Sequence, residues 1–224
     1  MNLVNSVFDE KMKIEIWSDI MCPFCYIGKR HLEQALQTFS GRDAVEITWK
    51  SYQLDPTIPM SFEEPVGVYE YLADRKGWSL EQSEEMHARV VEMAASVGLE
   101  YNFDKAVVAN SLYAHRVIQL AKEKGLDDAI EEIFFRAYFT DGKDLASIDT
   151  LVALGEEAGL EASEIRAAID SEELAYRVSQ DIQEGVNLGV RGVPFFVFDR
   201  KYGISGAEPI QVFIDTLNQT QNAS

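Results

Sequence analysis

The chain has 224 residues, with 38 acidic against 20 basic side chains and a net charge of −18. That acidity repels phosphate backbones and anionic membrane surfaces, so nucleic acid and membrane are poor partners. A 46% hydrophobic composition supplies a large core and excludes global disorder, and two cysteines are too few for a disulfide-stapled scaffold.

The opening stretch, MNLVNSVFDEK, has neither a basic n-region nor a sustained apolar h-region, so a cytoplasmic protein is expected. Residues 1–11 read as a short extension before Met12. No run approaches the roughly 18 apolar residues of a membrane span. From Lys13 to Ser18 polar and apolar residues alternate as in a strand. Ile27, Leu32, Ala35, Leu36 and Phe39 then recur at helical spacing, with Pro23 suited to the first helical position and Gly41 to a helix stop. Val45–Tyr52 alternates again, so the first fifty residues read β–α–β with a right-handed crossover. From Pro56 prolines break a loop, and helical patterns then run to about Asn187, punctuated by Gly77, Gly98, Gly125, Gly142 and Gly159. Strand character returns in Gly192–Phe198, a turn follows at Asp199–Gly203 and a short return strand at Gly203–Gly206, and Glu208-Pro209 opens a last amphipathic helix. The order predicts an α/β fold, βαβ plus ββα with a large all-helical insertion between them. Residues 12–60 and 188–220 form one discontinuous domain, and 61–187 the insertion.

Chemistry concentrates at Cys22-Pro23-Phe24-Cys25, where a strand hands over to a helix. The spacing puts both sulfurs on one helix face, close enough to close a small disulfide ring. Free N–H groups and the positive end of the helix dipole favour a thiolate at the first position, and the thiolate is the nucleophile of disulfide exchange. Cys22 is therefore expected to attack and Cys25, one turn inside, to resolve. Two blander fates compete: a buried structural pair, or half of a zinc site. Zinc takes four ligands, and His31, His87 and His115 are scattered without ligand spacing, so no metal is expected. Beside a βαβ pattern the pair reads as a redox motif. No G-x-G-x-x-G or P-loop appears, so no nucleotide cofactor is expected either. In Gly192-Val193-Pro194, a proline opening a strand is ordinary and most X–Pro bonds are trans; a cis bond would instead turn the Val193 backbone toward Cys22.

The stretch Ser18-Asp19-Ile20-Met21-Cys22-Pro23-Phe24-Cys25-Tyr26-Ile27-Gly28-Lys29 resembles the DsbA family of the thioredoxin superfamily, and more closely its FrnE-like cytosolic branch. Asn110-Ser111, Ala114-His115-Arg116, Arg136-Ala137-Tyr138-Phe139, Leu188–Val197 and Tyr202–Ala207 carry the likeness across nearly the whole chain. The resemblance implies a thiol–disulfide oxidoreductase with Cys22 as nucleophile, Cys25 as resolving thiol and Pro194 as a cis-proline facing them. It also implies that the helical insertion shapes a groove beside Cys22, with Pro23, Phe24, Val193 and Pro194 contacting a protein or small-molecule substrate. Glutathione enters as a thiol substrate rather than a cofactor. One departure stands out: Phe24 occupies the position that is His in periplasmic DsbA, and it offers Cys22 no hydrogen bond or positive charge. An alternative is a glutathione-dependent isomerase or transferase resembling 2-hydroxychromene-2-carboxylate isomerase, which uses Ser where Cys22 stands.

Elsewhere the bland reading leads. His115 has the pattern of an interior histidine, with an active-site role as the alternative; Trp17, Trp49 and Trp78 read as core or groove wall, and the Glu81-Glu84-Glu85-Glu92 face as solvated. Were the overall acidity to reach the groove, substrates would be neutral or basic.

Overall fold

A computed structural model describes residues 11–223, so the expected extension over 1–11 lies outside the described residues apart from Lys11. The alternating segments form the strands β1 (Met12–Ser18) and β2 (Val45–Ser51), joined by the helix α1 (Pro23–Thr38). They pair in parallel, Met12 opposite Val45 through Ser18 opposite Ser51. After α2 (Val68–Lys76), α3 (Leu80–Ser96), α4 (Leu112–Glu123), α5 (Asp127–Phe135), α6 (Ile148–Glu157), α7 (Ala162–Asp170) and α8 (Glu172–Asn187), the chain returns as β3 (Phe195–Phe198), β4 (Tyr202–Ser205) and α9 (Ile210–Asn222). The sheet order is β2-β1-β3-β4, with β3 antiparallel to both β1 and β4. The architecture is the thioredoxin-like arrangement with a helical insertion that the pattern predicts.

The β3–β4 hairpin turns on Asp199 and Arg200, both at positive φ (47° and 56°), the conformation that suits a tight hairpin to strand twist. Neither is glycine. Ion pairs from Arg200 to Glu15 and Glu184, and a 2.7 Å hydrogen bond from the Lys13 N–H to the Asp199 carboxylate, accompany the turn.

One sheet face is covered by α1 and α9, where the Phe213 ring meets Phe196 edge-on at 4.9 Å. The other is covered by α8. There the buried Trp17 indole donates to the Asp181 carbonyl at 2.7 Å, and a Cβ on Gly185 would fall 2.7 Å from the indole nitrogen. The absent side chain is what lets α8 lie against β1. The Asp181 carboxylate accepts from the Ser51 N–H, Gln119 Nε2 and Lys50 Nζ at 3.1, 2.6 and 3.1 Å, so one acid ties α8 to β2 and α4.

One sequence expectation needs correction. Gly41 does not stop α1: its φ is −89°, and the helix ends when Phe39 turns extended and its N–H bonds to the Leu36 carbonyl. Burying the Phe39 ring fixes the exit, so no left-handed glycine is required. Trp17 and Trp49 are core, and Glu81, Glu84, Glu85 and Glu92 are solvated, as their spacing implies. Among the described residues no helix is long and apolar enough to cross a membrane.

Candidate active site

β1 ends at Ser18, and a tight turn closed by the Cys22 N–H on the Asp19 carbonyl (2.9 Å) delivers Cys22 to the start of α1. Cys22 is the residue immediately before the helix, with extended backbone (φ −94°, ψ 111°) and Pro23 in the first helical position. Proline forfeits no hydrogen bond there, because that N–H has no helical acceptor. The Cys22 side chain does not cap the helix. Instead its thiol donates to the Val193 carbonyl at 3.3 Å, across 171 residues of sequence. The Val193–Pro194 peptide is cis, as the resemblance implies. Val193 contributes no backbone N–H bond among the described residues, which leaves that donor on the strand-like edge beside the sulfur.

Both cysteines are free thiols, 3% and 1% exposed. Burial pushes the Cys25 pKa well up; the hydrogen bond with Cys22 and its charge add to this, and the Asp19 N–H and Ser18 hydroxyl oppose it only in part. Cys25 is thus held as a neutral thiol directly behind Cys22.

Long-range contacts hold the first turn of α1. Tyr101 Oη donates to the Pro23 carbonyl at 2.7 Å, and Tyr26 Oη donates to Glu132 at 2.6 Å. A Cβ on Gly28 would meet Phe196 at 3.0 Å and Pro194 at 3.1 Å, so this glycine lets α1 approach the proline loop. Asp19 is buried; its carboxylate accepts from the N–H groups of Leu54 (2.7 Å) and Met21 (3.2 Å). His115 is fully buried behind the site, its Nε2 3.5 Å from Asp19 Oδ1, and neither ring nitrogen makes a hydrogen bond among the described residues. It is interior, as its pattern suggests, yet not satisfied.

Beside Cys22 opens a cleft of about 660 Å³ between the start of α1 and the helices α2 and α3, with Pro23 and Phe24 on its wall. Val193 and Pro194 are not among the residues that line it: Pro194 packs its ring on α1 near Gly28, so of the four expected substrate contacts the cleft includes Pro23 and Phe24. The far wall includes Phe103, Tyr138 and Phe139, the last two carried by a single π turn, Arg136–Thr140. Asn110, part of the resemblance, stitches the adjoining loop by donating to the Ile58 carbonyl at 2.6 Å and accepting from the Leu112 N–H at 2.9 Å.

The acidity of the molecule does not extend into this cleft, contrary to the case considered from composition. Its charged lining is Asp19 and Asp55 against Arg75 and Lys76. Burial opposes ionisation of Asp55, but hydrogen bonds from Thr57 and Tyr71 and the Arg75 charge hold its pKa below the usual range. Burial pushes the His87 pKa down, so that ring is neutral at pH 7.

Residues 13–218 match the DSBA-like thioredoxin domain family. The chain belongs to that family. A crystal structure of a probable DsbA oxidoreductase from Streptomyces coelicolor is 39% identical, with TM-score 0.90, covering 95% of this chain and 91% of the other. The Bacillus subtilis protein YwbO is 28% identical over 217 residues, 93% of this chain and 96% of its own length. In fold alone the chain also matches the cytosolic disulfide reductase DsbM from Pseudomonas aeruginosa, at 18% identity and TM-score 0.65, over 95% of this chain and all of the other.

Proposed function

We propose that this DsbA-like protein exchanges disulfides through Cys22 and Cys25. The observation that carries the reading is the Cys22 sulfur: last residue before α1, at the edge of the cleft, and hydrogen-bonded to the Val193 carbonyl at 3.3 Å. In the reductive direction the Cys22 thiolate attacks one sulfur of a substrate disulfide. A Cys22–substrate bond forms as the substrate S–S bond breaks, and the departing sulfur takes up a proton. Cys25, once deprotonated, then attacks the Cys22 sulfur and expels the second substrate thiol. Two electrons pass to the substrate, and a Cys22–Cys25 disulfide remains. The oxidative direction is the reverse.

Pro23 and Phe24 contribute the cleft side of the substrate contact, and the Val193 backbone, positioned by Pro194, the strand-like side. The substrate is a protein or small-molecule disulfide or thiol, and glutathione is the small thiol that recharges the pair; a DsbM structure was solved with GSH. We place the protein in the cytoplasm, in the FrnE-like branch, a reading supported by its fold likeness to a cytosolic reductase.

Cys25→Ser tests the reading. Offered a disulfide substrate, this variant is expected to accumulate a mixed disulfide at Cys22, visible by mass spectrometry of the intact protein, whereas Cys22→Ser forms none. Adduct-free Cys25→Ser with every disulfide offered would refute the mechanism. Turnover surviving the double change to serine would point to the glutathione-dependent isomerase alternative.

A further inference from the structure

The cleft is larger and more apolar than a passing thiol needs. Its volume of about 660 Å³ lies within the roughly 300–1,000 Å³ of small-molecule sites. Val68, Met86, Val90, Phe103, Tyr138 and Phe139 form its body. Tyr138 and Phe139 reach the wall from the π turn that interrupts the end of α5, a local irregularity that recurs where helices serve sites. The turn is anchored to its surroundings by its last carbonyls: Phe139 O accepts from the Asn102 N–H at 2.7 Å, and Ala137 O from the Lys143 N–H at 2.8 Å.

Two polar groups on this wall have unspent capacity. Tyr138 is 2% exposed, and its hydroxyl makes no hydrogen bond among the described residues. His87 is 8% exposed and its Nδ1 lies 2.8 Å from the Ser83 carbonyl, which can only accept. The ring proton therefore sits on Nδ1, and Nε2 is an acceptor with no hydrogen bond among the described residues. Apolar walls with a few convergent polar groups are the anatomy of an organic-ligand site.

The geometry also separates two substrate types. An extended polypeptide would run along the Val193 edge, which does not line the cleft. The cleft borders Cys22 without including Val193 and suits a compact body attached directly to the reacting sulfur.

We propose that the cleft receives the non-reacting half of a small organic disulfide or thiol with an aromatic or branched apolar body. This rests on the exchange chemistry at Cys22 proposed above. Tyr138 and His87 supply one donor and one acceptor for a neutral polar group on that body, and the balanced rim charges do not turn it away.

The test uses the full chain carrying Cys25→Ser, treated with a symmetrical disulfide bearing dansyl groups, with mass spectrometry to locate the adduct on Cys22. Pockets of this kind cover about 70–90% of a ligand's surface, so acrylamide quenching of the attached dansyl should fall at least about threefold below that of the same group on a free cysteine, with blue-shifted emission. Val90→Trp, which fills the cleft from α3, should return both readings toward the free-cysteine values. Met86→Trp, at a half-exposed rim position, serves the same purpose if Val90→Trp does not fold. An adduct on Cys22 whose dansyl is quenched as freely as on cysteine overturns the cleft assignment and leaves the exchange mechanism standing. Absence of any Cys22 adduct overturns the mechanism and the cleft assignment together.

Discussion

The two thiols differ because of depth, a matter of single residues. Cys22 precedes the helix, borders the cleft and meets a carbonyl; Cys25 is one turn further in, buried and pressed on by the first sulfur. Burial disfavours the charged thiolate, so Cys25 stays protonated past its ordinary pKa of 9.0. In Cys22→Ser, where burial persists but the first sulfur is gone, alkylation of Cys25 by iodoacetamide should be negligible at neutral pH and rise only above about pH 9. Rapid modification at pH 7, followed by mass, would contradict this assignment. The placement of Cys22 and Cys25 at a helix start is legible in sequence because it depends on local features: a strand, a proline and a helix start within a dozen residues. Gly28 is not legible in the same way. It sits in a recognisable stretch, but its reason is Phe196 and Pro194, more than 160 residues away. His115 and Tyr101 are similar, each defined by a partner that only the folded chain supplies.

At the scale of elements, α1 is set by what it leans on. Gly28→Ala would force Phe196 or Pro194 to move by a few tenths of an ångström, and crowding of this kind costs about 1–3 kcal/mol. Urea denaturation is expected to show that loss. On its other side α1 is joined to α5 by a network in which Arg30 and Lys29 pair with Glu132 and Tyr26 donates to it. Burial works against ionisation of Glu132, yet these partners outweigh it and lower its pKa from 4.5 to about 2. A carboxylate with a depressed folded-state pKa stabilises above its unfolded value and loses that contribution as pH falls through the folded one. Glu132→Gln should therefore be less stable than the parent at pH 7, by about 1–2 kcal/mol after allowing for partial solvent screening. The gap should narrow between pH 4.5 and pH 2; a constant difference across that range would exclude the linkage. The helices themselves follow from apolar spacing, but the π turn at Arg136–Thr140 does not: there the Asp141 N–H reaches back to the Arg136 carbonyl, a bond that no apolar periodicity encodes.

For the molecule as a whole, direction of electron flow is set by the relative stability of dithiol and disulfide. Burial holds Cys25 as a neutral thiol, which favours the dithiol form. Phe24 adds no cationic stabilisation of a thiolate, so the strongly oxidising poise of about −120 mV known for DsbA is not expected here. Equilibrium titration of the Cys22–Cys25 pair against glutathione should give a lower value and a mostly dithiol resting form in a reducing cytosol. Equilibration at or above the DsbA potential would reverse that conclusion. The topology was legible at this scale, because proline, glycine and periodicity mark where the βαβ and ββα halves begin and end. The charge balance of the cleft was not, since −18 is a sum over the whole chain and the cleft draws its two acidic and two basic residues from three separate segments.

The central strand β1 has β2 on one side and β3 on the other, and the carbonyl beside Cys22 belongs to the segment leading into β3. During synthesis the thiols leave the ribosome about 170 residues before Val193 does, a delay on the order of 10–30 s at ordinary bacterial elongation rates. For that interval the nascent chain carries two cysteines with neither their acceptor nor the far half of the sheet. The finished Cys22–Val193 contact is therefore a late product of translation, and a chain truncated before Val193 has both thiols but not the carbonyl that meets the first of them.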